Sequence, residues 1–261
     1  MEMRTTAAAL MLVLLAGMAS AQSLQVEESS NAVRVLLEDR VLTEYRFDRD
    51  QKYPYFFPVN GPLTGRSLTT ESSQPWPHHH SLFFGCDRVN GWNFWQEANE
   101  RGQIVSRGAT AERLSDAGTP AVRIRDVCDW RAPGEPVVIT DYRRMIVAPE
   151  GASSYRIDFH IRLVPQVDVT IQKSNHALFS ARMAPHLSVE NGGTLVNADG
   201  KKGEKGTFGE KSPWCDYSGK NGEQVEGLAI LDHPANRWFP CTWFTRDYGF
   251  FSPTPMNWLA E

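Results

Sequence analysis

The chain has 261 residues, of which 41% are hydrophobic, and a formal net charge of −4. The slight acidity argues against a nucleic-acid partner, because no basic block exists beyond Lys201-Lys202. No stretch after residue 22 is long and apolar enough to cross a bilayer, so no membrane span is expected.

The N-terminus has the pattern of a secretory signal peptide. Arg4 precedes a mostly apolar run from Ala7 to Met18, and Ala19-Ser20-Ala21 is a small-x-small cleavage pattern. The run is shorter than the roughly 20 residues that a membrane anchor needs. We therefore expect residues 1–21 to be removed, and residues 22–261 to be exported to the periplasm or the cell exterior as one domain.

Strand patterns follow through the rest of the chain. Residues 32–47 alternate apolar and polar side chains around a turn at Glu38-Asp39-Arg40, which predicts a β-hairpin. Similar strand patterns recur in residues 121–130, 136–149, 153–166, 168–183, 226–234 and 241–253. After the signal peptide, no segment keeps a helical apolar period for three turns. The sequence therefore predicts an all-β sandwich or barrel.

One segment interrupts this pattern. Residues 198–223 are polar and rich in Gly and Lys, which predicts a long loop. Its aromatic residues Phe208, Trp214 and Tyr217 favour a functional loop over a disordered one, because disordered segments are poor in aromatic residues.

Three consecutive histidines, His78, His79 and His80, precede the β-prone run SLFFG. We expect a strand to begin near His80. If its geometry extends back to His78, then His78 and His80 share one face and His79 faces the other way. At least one imidazole would then face a pocket, where it could act as a general acid or base near neutral pH. A solvated turn and a metal clip are the alternatives.

A second group of candidates lies in residues 173–183. Asn175 and His176 stand between two strand-like stretches, and Lys173 and Arg182 flank them with cationic donors suited to hydroxyls or a carboxylate. The alternative is a strand-edge histidine with a satisfied partner.

A third group lies in and near residues 231–251, where polar side chains alternate with aromatic ones. Sugar rings stack on aromatic faces while their hydroxyls take polar partners, so this mixture suits a carbohydrate. The substrate-binding candidates are Trp214, Asp232, His233, Asn236 and Arg246. About half of the eight tryptophans are expected in the core.

The four cysteines, Cys86, Cys128, Cys215 and Cys241, leave two interpretations open. An even number in an oxidising compartment allows two disulfides. Buried free thiols, or one incidental disulfide, are the alternative. None of the cysteines is spaced as CxxC, which argues against a zinc knuckle.

Several ordered segments resemble the PmoA-like family of secreted bacterial proteins, often labelled methane oxygenase PmoA. They are PWPHHHSLFFGCDRVNGWNFW, SNHALFSARMAP, GTLVNADGKKGEKGTFGEKSPWCDYSG and LAILDHPANRWFPCTWFTRDYGFFSPTP. The resemblance covers nearly the whole chain after residue 21 and implies a role in carbohydrate catabolism. A membrane methane monooxygenase subunit is a bundle of transmembrane helices, so that activity is not expected here.

The segment SNHALFS is also similar to the Asn-His-aromatic segment of aldose 1-epimerases. That similarity implies a galactose-mutarotase-like β-sandwich (supersandwich), with His176 as the acid and His78 or His79 as its partner. It also implies a glutamate base late in the chain, for which the sequence offers only Glu261. Because the chain stops without a closing strand, we expect the last strands of this fold to be missing.

These features together predict an exported enzyme that acts on a sugar or an oxidised sugar, of epimerase, hydrolase or lyase type. The predicted catalytic residues are His78, His79 and His176, and the predicted partner is a small carbohydrate. No cofactor is expected. The alternatives are a non-catalytic carbohydrate-binding β-sandwich and a metal-dependent enzyme that uses His78, His79 and His80.

Overall fold

The computed structural model describes residues 23–72, 74–96, 98–114 and 120–258. Their regular structure is almost entirely β-strand, which confirms the all-β prediction. The signal peptide predicted for residues 1–21 lies outside the described residues, as does Glu261. No helix in the described part of the chain is long and apolar enough to cross a membrane.

The strands are named in chain order. They are β1 Leu24–Glu28, β2 Ala32–Leu37, β3 Arg40–Arg46, β4 Tyr55–Val59, β5 Leu82–Val89, β6 Trp92–Phe94, β7 Gln103–Ser106, β8 Thr110–Leu114, β9 Ala121–Arg131, β10 Ile139–Pro149, β11 Tyr155–Pro165, β12 Ala177–Arg182, β13 Thr194–Asn197, β14 Trp214–Asn221, β15 Gln224–Leu231, β16 Trp243–Arg246 and β17 Phe250–Pro253. One short α-helix, α1, spans Gly203–Thr207. Short 3-10 helices span Asn99–Arg101, Pro185–Leu187 and Val189–Asn191.

The strands form three antiparallel sheets. The largest has the order β1-β2-β3-β4-β5-β12-β17-β16, with β6 also paired to β5. The second has the order β11-β10-β9-β7, with β8 also paired to β9, and the third is β13-β14-β15. Strand β12 thus lies between β5 and β17, which are distant from it in the sequence. This order positions the candidate site.

The two larger sheets pack face to face as a β-sandwich. On β10, Met145 and Val147 are fully buried while the intervening residue points away, because successive side chains of a strand face opposite sides. One buried cluster joins the two sheets, and its members include Val33, Tyr45, Phe56, Leu82, Ala181 and Phe251 from the largest sheet and Val122, Ile124, Met145 and Val147 from the second.

A buried polar network crosses the same interface. Arg143 donates from Nε and Nη2 to the Oδ1 and Oδ2 atoms of Asp141 at 2.8 and 2.9 Å. Trp130 Nε1 also donates to Asp141, at 2.8 Å, and the Tyr45 hydroxyl donates to Asp126 at 2.9 Å. Because the buried charges are paired and hydrogen-bonded, this network is a structural feature of the core.

The strand predictions are confirmed for most segments. The hairpin predicted in residues 32–47 is the β2–β3 pair, and residues 121–130, 136–149, 153–166, 226–234 and 241–253 contain β9, β10, β11, most of β15 and the β16–β17 pair.

Two segments differ from the prediction. Only Ala177–Arg182 of residues 168–183 forms a strand, and the residues before it reach the sheet through one bridge, between Val89 and Ile171. Residues 198–223 are not one long loop, since they contain α1 and β14. Buried residues alternate along β14 because Cys215 and Tyr217 face the core, and the Gly/Lys-rich composition of the preceding turns masks this period.

The structure has free thiols rather than disulfides. All four cysteines are unpaired and buried, in contrast to the two-disulfide interpretation. Burial raises the pKa of Cys86, Cys215 and Cys241 to about 12. At neutral pH these thiols therefore stay protonated and unreactive.

Candidate functional site

The candidate site lies on one face of the largest sheet, across β5, β12 and β17. Arg182 of β12 is paired with Phe250 of β17, so both side chains project from the same face. The ring of His79 stacks on Phe250, with the ring centroids 4.4 Å apart. The segment before β5 is therefore folded over this face.

Three histidines from two distant segments meet there, and we name His78, His79 and His176 the histidine cluster. The ring centroids of His78 and His79 are 4.5 Å apart, and those of His78 and His176 are 5.8 Å apart. The structure thus brings together all three residues predicted to be catalytic.

His80 faces elsewhere, and the predicted alternation of the three histidines is wrong. Its ring stacks on Tyr55 at 5.0 Å and meets the edge of Tyr53 at 5.7 Å. Strand β5 begins only at Leu82, and Ser81 has a positive φ of 57°. A turn rather than an extended strand therefore carries His78 and His79 to the same side.

His176 is partly exposed and lies beside the carboxylate of Asp87. Its Nδ1 lies 4.0 Å from Asp87 Oδ2, and the two side chains are 27% and 17% exposed. Burial lowers the pKa of His176, the Asp87 carboxylate opposes that shift, and Arg88 adds to it. The ring is therefore neutral near pH 7, a form that accepts a proton.

His79 is buried more deeply, with 3% of its surface exposed. Burial, followed by the neighbouring His78 and Arg182, lowers its pKa to about 2. Its Nδ1 is buried and has no hydrogen-bond partner. A neutral imidazole with an unused nitrogen can form a hydrogen bond with a bound molecule.

Aromatic rings enclose the histidine cluster. Trp76 is 41% exposed, and its ring lies 6.1 and 6.3 Å from those of His78 and His79. Trp95 is fully buried, lies 5.8 Å from the His176 ring, and leaves its Nε1 without a partner. The site thus combines a partly exposed aromatic ring with buried polar atoms that lack partners.

Arg182, which the sequence analysis predicts to bind substrate, also lies beside this cluster. Its Cζ lies 4.4 Å from the centre of the Tyr248 ring, and Tyr248 in turn lies 6.4 Å from the His79 ring. Asn175 immediately precedes His176 in the loop before β12, where the Ser174 hydroxyl accepts the His176 backbone N–H at 3.0 Å.

Asp232, His233 and Asn236, which are predicted to bind substrate, form hydrogen bonds that stabilise their own turn. Asp232 accepts hydrogen bonds from Asn236 Nδ2 at 2.7 Å and from the Cys241 backbone N–H at 2.9 Å. His233 Nδ1 accepts the Ala235 N–H at 3.1 Å. None of the described contacts joins this turn to the histidine cluster.

Two further predicted residues lie outside the cluster. Trp214 is the first residue of β14 in the three-stranded sheet. Arg246 forms an ion pair with Glu204 at 2.6 Å and lies over the rings of Phe208 and Phe244. Its charge is therefore already partnered.

Sequence reasoning does not select Tyr248 and Phe250, although both contact His79. Tyr248 lies in the turn between β16 and β17, and Phe250 is the first residue of β17. What the sequence cannot supply is the neighbour of that strand, since β17 pairs with β12 from 68 to 70 residues earlier in the chain.

Comparison with models of known protein families identifies one family for this chain. A family model described as a family of unknown function, DUF6807, matches residues 32–261. The chain belongs to the DUF6807 family. No curated protein and no solved structure matches it.

The metal-clip alternative does not fit the site of this DUF6807 chain. The three consecutive histidines do not converge, because the ring of His80 packs on Tyr55. Among the residues that the structure describes, no group of three or more His, Cys, Asp or Glu side chains is arranged to hold a metal ion.

Proposed function

We propose that this DUF6807 protein is an exported enzyme that acts on a sugar or an oxidised sugar derivative by histidine acid/base chemistry. The observation that carries the proposal is the convergence of the histidine cluster beside aromatic rings and unpartnered buried polar atoms. The resemblance to PmoA-like proteins and aldose 1-epimerases, with their galactose-mutarotase-like fold, supports the same substrate class.

His176 is the proposed proton acceptor. It is neutral near pH 7 because burial lowers its pKa, and Asp87 at 4.0 Å stabilises the imidazolium that forms when the ring takes a proton. His78, whose ring lies 5.8 Å away, is the proposed donor on the other side of the reacting bond. Epimerisation, elimination and hydrolysis of a sugar all need such a pair.

The exposed face of Trp76 is the proposed platform for the sugar ring. Its indole lies next to His78 and His79, so a ring stacked on it is held beside the proton-transfer groups. Holding the reacting atoms in place contributes to the rate independently of the proton transfer itself.

The test is incubation of the protein with sugars, 3-keto-glycosides and uronic acids, as single rings and as disaccharides, followed by NMR. We expect a new or equilibrating product whose rate of formation falls by about 10²- to 10⁴-fold in His176→Asn. His160→Asn, in an exposed histidine of β11, is the matched control and should keep full activity. Equal activity in the wild type and His176→Asn would contradict the assignment.

The second candidate is a non-catalytic carbohydrate-binding module. Deep burial of His78 and His79 favours it, because 7% and 3% exposure leaves little imidazole surface for a substrate. In that case no sugar is turned over, and the sugar resonances shift saturably in both the wild type and His176→Asn, with affinities within a few-fold of each other.

A further inference from the structure

Arg182 is a buried cation without a counter-ion among the described residues. It is 5% exposed, and neither its Nε nor its Nη1 donates a hydrogen bond. Its side chain instead lies against the face of the Tyr248 ring. A buried charge normally has a hydrogen-bonded partner, so an unpartnered guanidinium indicates a group that is missing from the structure.

The other arginines of the interior and of this face are partnered. Arg143, whose side chain is fully buried, makes a two-pronged ion pair with Asp141. Arg182 on β12 and Arg246 on β16 both pair with Phe250 of β17, which lies between them. The charge of Arg246 is neutralised by Glu204. Arg143 and Arg246 therefore each have a carboxylate partner, whereas Arg182 has none among the described residues.

The charged and titratable groups around Arg182 include one carboxylate, Glu190, which does not pair with it. Burial lowers its pKa, whereas Tyr248, Tyr217 and Glu190 act in the opposite direction. Glu190 makes no ion pair with Arg182 in the described part of the chain. His79 is neutral because its pKa is about 2, so it adds no charge of either sign.

We propose that Arg182 binds the carboxylate of an acidic sugar, which makes uronic acid-containing carbohydrate the substrate class of the site. This inference rests on the proposed function. A planar guanidinium donates parallel hydrogen bonds to both oxygens of a carboxylate, and the bond is strong where water is excluded. Tyr248 and the exposed Trp76, whose rings lie 6.5 Å apart, provide the apolar contacts for the sugar ring.

The same arrangement orients the ligand. Asp87 beside His176 repels a carboxylate, whereas Arg182 attracts it, and the two lie at opposite ends of the histidine cluster. The acidic end of the ligand is therefore held at Arg182, and the remainder extends toward His176.

The test measures the affinity of the full chain for galacturonate and glucuronate against galactose and glucose by calorimetry. Galactose 6-phosphate and acetate are included to separate a carboxylate from a phosphate and from a small anion. We expect the uronates to bind at least about tenfold more tightly than their neutral parents, the gain of a charged hydrogen-bonded pair.

Three variants assign this preference to Arg182. Arg182→Met should remove it, and Arg182→Lys should weaken it because an ammonium lacks the planar pair of donors. Arg144→Met removes an equal charge from an exposed position on β10 and should leave the preference intact. The melting temperature of Arg182→Met should be at least that of the wild type, since the variant loses an unpaired buried charge.

The outcomes separate the two proposals. Equal binding of uronates and neutral sugars overturns the carboxylate site but leaves the sugar site standing. Tighter, Arg182-dependent binding of galactose 6-phosphate overturns the carboxylate in favour of phosphate. If acetate binds in an Arg182-dependent way but no sugar binds, the carboxylate contact is supported and the sugar site is overturned. If none of these ligands binds, both proposals are overturned. If Arg182→Met does not fold, the wild-type preference and Arg182→Lys still decide.

Discussion

At the scale of single residues, His79 in the histidine cluster has a strongly lowered pKa. Its pKa is about 2 in the folded protein, against 6.5 for a free imidazole. Below about pH 6.5 the unfolded chain therefore binds a proton that the folded chain does not, so the free energy of unfolding decreases as the pH falls toward 2. The contribution of His79 to the free energy of unfolding is thus fully present above about pH 6.5 and is lost as the pH falls toward 2.

His79→Phe should flatten this pH dependence. Phenylalanine retains the stacking on Phe250 but cannot titrate, so the slope should fall by up to about 1.4 kcal/mol per pH unit. Urea unfolding at several pH values between about 5 and 7 measures it. His160→Phe, at an exposed position, should retain the wild-type slope. An unchanged slope in His79→Phe would mean that the native ring is protonated.

At the scale of elements, strand β10 carries the buried pair of Asp141 and Arg143, and Trp130 of β9 donates a hydrogen bond to Asp141. Asp141→Asn leaves the guanidinium uncompensated in a site with no exposed side-chain surface, which should cost about 3–5 kcal/mol of unfolding free energy. Urea unfolding measures the loss, and adding Arg143→Met should recover part of it. Asp158→Asn breaks the exposed pair with Arg156 and should cost less than about 1 kcal/mol. Equal losses for the buried and exposed pairs would show that burial is not the cause.

The strands also show how much of the fold could be predicted from the sequence. Period-two alternation identifies β9, β10 and β11, because each has one buried face and one exposed face. It cannot predict that β12 pairs with both β5 and β17, since strand order depends on long-range packing. His176 and Arg182 could therefore be selected from their residue types, whereas their meeting with Tyr248 and Phe250 could not.

At the scale of the whole molecule, all four cysteines are buried as free thiols. A thiol reagent should label none of them in the native protein and all four after unfolding without a reductant. Two or fewer labelled thiols in the unfolded chain would mean that a disulfide forms in the protein. The even number of cysteines could not settle this question, because pairing requires Cα atoms within about 7 Å.

Strand β12 also sets a length for the ligand. His176 immediately precedes the strand and Arg182 ends it, so six steps of extended backbone separate their Cα atoms by up to about 20 Å. The rings of His78 and His79 occupy the space between the two side chains. If the ligand is anchored at Arg182 as proposed, we expect a chain of two or more rings to reach His176 more readily than a single ring does. One-ring uronates would thus compete with longer acidic saccharides without themselves being converted.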